Sequence, residues 1–408
     1  MQKLFRLVSA MVLGLFTATG LRAEEYVVQP HTPSRPLVQA AGFIPGGPSN
    51  QFPRIQGTYN GLLIPADDFV AEYSGYFEIQ VDWDRDFRGW MNVGNRRYPL
   101  RGRFDQQGSG GVAIYRRDWD DCRCFYELRL IWIVDLQLIA GTDEIEGIAE
   151  NVRRGWSTEM FGFRGQGVLD GLSVDQGRYT VRLPGGTNAT VAPVGEGYGV
   201  MNVNSRGRGT MYGALADGTA YSRTAIISTN GWWPFYLPLN DGQGAVIGWL
   251  RFATADFSDV AGDLFWVRPR RGDRRLYPDG YSGNVAASGS QYSSTNFGTF
   301  ALNWIDGQFW IDGGNLLAPA VNDIVLLPKG KLGDLGGDIP GLSFSLSRGT
   351  GIFRGRFTHP DNGRRTSFAG VMDQIAGVGG GYFIGINQGG LVRLDPIVVV
   401  PPPPAFGE

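Results

Sequence analysis

Residues 199–233 read GVMNVNSRGRGTMYGALADGTAYSRTAIISTNGWW. Short alternating apolar runs are cut at Ser205-Arg206-Gly207, Ala216-Asp217-Gly218 and Thr229-Asn230-Gly231. Asp-Gly and Asn-Gly between such runs signal hairpins, because a type I′ turn needs positive φ at both central residues. The stretch therefore predicts a four-stranded antiparallel meander. Gly213, inside a run, has another meaning: it marks a bulge or a close backbone approach that lets a sheet curl.

The same layout recurs on both sides. Upstream, Gly75 to Val81 alternates, Phe87-Arg88-Gly89 follows, and Gly94-Asn95 precedes Arg97-Tyr98 and Gly102-Arg103-Phe104. Downstream, Leu342 to Leu346 leads to Phe353-Arg354-Gly355-Arg356-Phe357, Asn362-Gly363, Phe368-Ala369-Gly370 and Gly381-Tyr382-Phe383. The openings Gly57-Thr58-Tyr59, Gly177-Arg178-Tyr179 and Ser290-Gln291-Tyr292 are spaced 120 and 113 residues apart. With the flanking apolar runs, each unit holds about seven to nine short strands, which suits a sandwich or small barrel. The expected fold is all-β: two to three tandem antiparallel meander units forming small barrels or sandwiches. The expected modules are 54–170, 175–267 and 284–395. They are framed by a Pro-rich linker at 24–53, an Arg/Gly-rich linker at 268–283 and a Pro-rich tail at 396–408.

Composition agrees. Glycine supplies 62 of 408 residues, and glycine at this density opposes helix. No Gly-X-Y period exists, so collagen is excluded. With 42% hydrophobic and 12% aromatic residues, the chain has enough apolar surface for a core, unlike a disordered polymer.

The strings GTYNGLL, SGYFEIQV with FRGWMNVGNRRYPLRGRFD, LADGTAYSRTAIISTNGWWPFY with GWLRF, and GIFRGRF with FAGVMDQ and GGGYF resemble the Gly/aromatic-rich tandem β-modules of large predicted secreted proteins of environmental bacteria. The resemblance covers most of residues 54–395. It implies secretion and β architecture, and no established activity or catalytic residues.

Residues 1–23 read as a signal peptide: Lys3 and Arg6 precede the apolar stretch Leu7 to Gly20, and Ala23 sits at the cleavage position. The expected location is secreted, periplasmic or cell-surface, with no membrane insertion. Losing Lys3, Arg6 and Arg22 takes the formal charge from −2 to −5, which argues against nucleic acid as a partner. Cys122 and Cys124 form a Cys-Arg-Cys unit. A disulfide is one reading in an oxidising compartment, and free thiols are another, since a regular strand holds i and i+2 too far apart to bridge.

Catalytic signals are sparse. His31 lies in the Pro-rich linker and His359 in a hairpin turn, so a Ser-His-Asp or Cys-His site is not expected and no catalytic residue is assigned. Asp82, Asp84 and Asp86 alternate as calcium ligands do, but Phe87 stands where an EF-hand loop needs Gly. A solvated turn is the plainer reading, and calcium is the only cofactor candidate. Asp118, Asp120 and Asp121 form a second such cluster. Trp83 and Trp119, flanked by Asp, and the pair Trp232-Trp233 are candidates for stacking on sugar faces. Neighbours in a strand point to opposite faces, so one of that pair is expected outside. The functional expectation is a secreted, non-catalytic β-repeat protein with a surface-structural, adhesive or glycan-binding role, its partners polysaccharide or other cell-surface components. The alternatives are an extracellular carbohydrate-active hydrolase and an outer-membrane β-barrel.

Overall fold

The computed structural model describes residues 26–30, 55–65, 69–120, 125–167, 173, 175–255, 258–295 and 301–397. The expected signal peptide, His31 and the Cys122/Cys124 pair lie outside these residues, as does most of the tail.

The chain forms three tandem antiparallel sheets, each nearly closed into a barrel. Barrel 1 contains β1 (Tyr26–Pro30), β2 (Gly57–Ile64), β3 (Gly75–Val81), β4 (Asp86–Val93), β5 (Arg96–Arg103), β6 (Ser109–Asp120), β7 (Phe125–Leu138), β8 (Glu144–Asn151) and β9 (Trp156–Arg164). Barrel 2 contains β10 (Gly177–Pro184), β11 (Glu196–Val203), β12 (Arg208–Ala214), β13 (Ala220–Ile226), β14 (Trp232–Leu239), β15 (Gly244–Ala255), β16 (Ser258–Arg268) and β17 (Tyr281–Gln291). Barrel 3 contains β18 (Asp306–Gly313), β19 (Ala320–Leu327), β20 (Lys331–Gly337), β21 (Ser343–Ser347), β22 (Ile352–Thr358), β23 (Arg365–Asp373), β24 (Val378–Ile384) and β25 (Gly389–Pro396).

Closure works the same way three times. The first meander strand pairs with the last strand of its barrel: β2 with β9, β10 with β17, and β18 with β25. Each sheet is therefore open mid-chain, its edge strands being β5 and β1 (which pairs with β6) in barrel 1, β13 and β14 in barrel 2, and β20 and β21 in barrel 3. Inward positions fill the barrels. Phe77, Ile79 and Val81 do so in barrel 1, Trp233 and Phe235 in barrel 2, and Phe353 and Phe357 in barrel 3, all fully buried. Each such side chain contributes roughly 1.5–3 kcal/mol through removal from water.

The mid-strand glycines show why the sheets can curl. Gly89, Gly213 and Gly355 each lie on the strand beside an open edge. A Cβ at these positions would run into the carbonyl oxygens of Glu78, Tyr198 and Ser343 respectively. In every case the obstructing carbonyl precedes the residue paired with the glycine, which is Ile79, Gly199 or Phe344. The same close backbone approach recurs further round the sheets, at Gly61 against Phe161, Gly289 against Thr180 and Gly381 against Ala369.

Several expectations need correction. The turns of barrel 2 are not type I′. Only Gly207, Gly218 and Gly231 have positive φ, and their N–H groups donate to the carbonyls of Asn204, Leu215 and Ser228 at 2.9–3.0 Å. These are type I turns followed by a left-handed glycine, the longer hairpin solution. Tyr26–Pro30, within the stretch read as a linker, is strand β1. It extends barrel 1 on the free edge of β6 and lies beside β5. Ser290-Gln291, read as the opening of the third unit, ends β17 and pairs with Tyr179 and Thr180 of β10. β17 begins at Tyr281, inside the stretch read as the Arg/Gly-rich linker. Barrel 3 opens instead at β18, and its seam comes after three strands rather than four.

The barrels pack against one another through their outer faces. Leu62, Ala71 and Tyr76 of barrel 1 join one buried cluster with Tyr236 and its cross-strand partner Ile247 of barrel 2. The Tyr236 hydroxyl lies 3.0 Å from the carbonyls of both Ser74 and Gly94, and Ile226 N–H donates to Asn60 Oδ1 at 2.9 Å. Between barrels 2 and 3, Thr180 Oγ1 donates to the Met372 carbonyl at 2.6 Å. Arg182 bridges Asp373 at 3.1 Å and Glu196 at 3.4 Å. Burial raises the pKa of Glu196, and the nearby Arg182 opposes that rise.

Replacing Gly213 by alanine is expected to destabilise the protein by about 1–3 kcal/mol, because a fixed backbone carbonyl occupies the Cβ position. Gly141→Ala serves as the comparison, since nothing crowds that position and its cost is limited to its positive φ. Urea-unfolding midpoints of the two variants check this, with Gly213→Ala expected to lose more.

Candidate functional site

A cavity of about 710 Å³ opens at the mouth of barrel 1, against barrel 2. Its volume falls in the range of small-molecule sites, and barrel mouths are a common place for them. Arg96 and Tyr98 enter from β5, Arg116 from β6, and Ile131 and Trp132 from β7. Consecutive strand residues normally face opposite ways. Here a bulge between Ile114 and Tyr115 leaves Ile131 without a partner, so both Ile131 and Trp132 reach the cavity.

The hairpin between β8 and β9 supplies Arg153 and Arg154. Gly155 has φ +67°, and its N–H donates to the Asn151 carbonyl at 2.9 Å. The Arg154 N–H is also held by Asn151 Oδ1 at 3.0 Å. Barrel 2 closes the far wall with Asp241, Gly242 and Gln243. That turn is strained: Asn240, Asp241 and Gly242 all have positive φ. A Cβ on Gly242 would lie 2.8 Å from the Asn95 nitrogen, so the turns of the two barrels touch backbone to backbone.

The floor is aromatic. Tyr73 stacks on Trp156 with centroids 3.9 Å apart, Trp156 meets Trp132 edge-on at 5.0 Å, and Trp132 meets Tyr98 at 5.4 Å. The indole N–H groups of Trp132 and Trp156 are buried without a hydrogen-bond partner. Orphaned buried donors cost about 1–3 kcal/mol each, so rings of this kind are usually met by an acceptor.

The rim is cationic. Among the described lining residues, four are arginines, Arg96, Arg116, Arg153 and Arg154, and two are carboxylates, Glu72 and Asp241. Asp118 organises part of this set from behind. Arg116 holds it through two nitrogens at 2.5 and 2.9 Å, with Arg153 at 3.7 Å and Arg129 at 3.9 Å. The Arg116 hydrogen bond, reinforced by the three arginine charges, keeps the Asp118 carboxyl below its ordinary pKa. Asp118 is therefore committed to arginines rather than presented to a cation. Arg154 pairs with Glu72 at 3.8 Å.

The residues singled out in the sequence lie elsewhere. Trp83 is 81% exposed, in the turn between β3 and β4, with Asp82, Asp84 and Asp86 around it. Asp82 lies 3.9 Å from Arg88, and Asp86 lies 3.6 Å from Arg103. Among the described residues no three His, Cys, Asp or Glu side chains are grouped to hold a metal ion. Trp119 closes β6 opposite Tyr126, and its side chain lies outside the described ones. Trp233 is corrected outright: it is fully buried, its indole donating to the Ala225 carbonyl at 3.2 Å inside barrel 2. Trp232 is half-buried, with Arg251 5.3 Å above its ring and Phe163 of barrel 1 stacked at 6.4 Å. His359 is buried beside Phe357 and Phe383, with Nε2 3.2 Å from the Gly314 carbonyl. The sequence reading missed the cavity arginines. The signal nearest to them is Asn151-Val152-Arg153-Arg154-Gly155-Trp156, a hairpin with paired arginines before a tryptophan.

No family model matches the chain, and no curated protein matches it. Among solved structures, intact Ap-TbpB with its N and C lobes is 10% identical, covering 83% of this chain and 76% of that one at a TM-score of 0.21. Isotype 1 transferrin-binding protein B from serogroup B Neisseria meningitidis is 9% identical, covering 84% and 76% at 0.22. A protein of unknown function of the DUF3598 family from Nostoc punctiforme is 8% identical, covering 86% and 100% at 0.18. At these values the chemistry of the cavity is read from this chain's own residues.

The lowered pKa of Asp118 has a stated pH consequence. A carboxylate whose folded pKa lies below its unfolded value adds stability above the unfolded value, near 3.9, and loses it as pH falls through the folded one. The Asp118 carboxyl carbon, followed by NMR, is expected to titrate below the ordinary carboxylate range. Arg116→Gln should move that titration upward.

Proposed function

We propose that this is a secreted, cell-surface binding protein that takes an acidic saccharide unit at the mouth of barrel 1. The observation that carries this reading is the cavity's composition: a wall of arginines above an aromatic floor that includes Trp132 and Trp156. Arginine forks match carboxylates bidentately, and Asp118 pre-orders two of these arginines from outside the cavity. The amides of Asn95 and Asn151 add polar groups suited to sugar hydroxyls.

The outer-membrane alternative finds less support. Outward positions of β5 carry Arg97, Arg101 and Arg103, all exposed, and those of β22 carry Arg354 and Arg356. A lipid-facing band would be apolar at such positions, and its lumen would be polar rather than packed with Phe and Trp. For a hydrolase the nearest carboxylates are Glu72, already paired with Arg154, and Asp241 on the barrel 2 turn.

The test is a fluorescence titration of the purified protein with oligogalacturonides and with neutral oligosaccharides, using the tryptophans lining the cavity as reporters. Saturable quenching by the acidic series is expected. Arg153→Gln/Arg154→Gln should weaken it by about tenfold or more, the loss expected for charge-assisted hydrogen bonds. Absence of binding across the acidic panel would contradict the reading. Cleavage of a bound saccharide, abolished by Glu72→Gln or Asp241→Asn, would transfer the case to the hydrolase.

A further inference from the structure

Barrel 3 carries a second cationic feature, remote from the cavity residues. Its basis is strand register. Ser343 lies opposite Arg356, which lies opposite Ser367; Ser345 lies opposite Arg354, which lies opposite Ala369; and Thr358 lies opposite Arg365. Directly paired residues share a face. The intervening Phe353, Phe357 and Phe368 are buried in the barrel, so these rows face outward.

The face has two halves. Near one end, Ile352 and Val371 pack on Tyr198, Val200 and Ala214 of barrel 2, and Tyr382 stacks on Tyr198 at 6.3 Å. Beyond that contact the face opens into a cleft of about 570 Å³ holding Arg354, Arg356 and Arg365, with no carboxylate in its lining. All three arginines are exposed. Among the described residues, none of them is within ion-pair distance of an Asp or Glu.

Like charges set side by side repel, and low-dielectric walls focus their field. This arrangement sets three arginines on one face of a chain of net negative charge, with no carboxylate in the lining beside them. Arg354 and Arg356 sit two residues apart on one strand, a spacing of about 7 Å, and Arg365 continues the row from the next strand. Such a series suits a linear polymer with regularly repeated anionic groups better than a single small anion. The serines fit the same ligand. Ser343 Oγ and Ser345 Oγ donate to the carbonyls of Arg356 and Arg354 at 3.3 and 3.2 Å, which leaves their lone pairs available to sugar hydroxyls. A single-stranded nucleic acid would want exposed aromatic platforms, and of the rings lining the cleft Phe368 is buried, Phe344 is half-buried on Phe353 and Tyr382 is half-buried against Tyr198.

The geometry points to a binding track for an acidic polysaccharide on the outward face of β21, β22 and β23. It is a site separate from the barrel 1 cavity and does not depend on that reading.

The test uses the full chain carrying Arg153→Gln/Arg154→Gln, so that the cavity on barrel 1 does not contribute. Polygalacturonate and dextran sulfate are titrated calorimetrically at two salt concentrations, beside neutral dextran and single-stranded DNA. These two acidic polymers separate carboxylate from sulfate recognition. Binding of at least one, weakening with salt, is expected. Arg354→Gln/Arg356→Gln/Arg365→Gln should lower that affinity by about tenfold or more and flatten its salt dependence, since fewer counterions are displaced. Unchanged affinity in the triple variant, equal affinity for neutral dextran, or tighter binding of DNA would each overturn the proposal. Circular dichroism verifies the fold of the triple variant, and Arg356→Gln alone carries the test should that fold be lost.

Discussion

A backbone carbonyl standing where a Cβ would be is the constraint on which this architecture depends. It occurs at Gly89, Gly213 and Gly355, each on the strand next to a seam, and again at Gly61, Gly289 and Gly381 further round the sheets. Adjacent backbones can approach and coil there only because glycine has no side chain. Coiling brings the first strand of each unit to its last, which satisfies their backbone groups and leaves one open edge pair per barrel. Alternation then sends one set of side chains into each barrel. The opposite set is left for contacts between barrels and for ligands.

The outer faces are used in two ways. In barrel 2 they are largely consumed by packing, with Tyr236 reaching carbonyls of barrel 1 and Thr180 reaching Met372 of barrel 3. Burial raises the pKa of the Tyr236 hydroxyl, so it remains a donor at neutral pH. Barrel 1 gains its cavity where this docking brings the Gly242 turn against Gly94-Asn95. Cavity and interface are therefore built from the same close approach. Barrel 3 keeps part of its outer face in solvent, and there the arginines remain unpaired.

Much of the fold was legible in the sequence, for local reasons. The aromatic-x-Gly strings and the alternating runs report period-2 burial and crowded backbone, and both survive in all three barrels. Turn type was not legible: Asp217-Gly218 and Asn230-Gly231 fit two hairpin solutions, and the choice depends on loop length set by the register. Repeat boundaries were misjudged because the closing strand β17 ends on letters resembling an opening strand. Tertiary context also decided the tryptophans. The pair Trp232-Trp233 obeys alternation, but Trp233 fills barrel 2 while Trp232 serves the contact with barrel 1. The cavity arginines come from three separate elements, β5, β6 and the β8–β9 hairpin, and the bulge that re-aims Ile131 beside Trp132 exists only once β6 and β7 are paired.

The central claim is that the barrels are packed into one body, with barrel 2 holding the wall of the barrel 1 site. Native-state hydrogen exchange across a denaturant series tests it most directly, because it separates independent opening from shared opening. The account predicts that amides of β2 and β3 in barrel 1 and of β14 in barrel 2 merge into one opening transition. Exchange of barrel 1 through its own lower-energy opening, with β14 still protected, would contradict it.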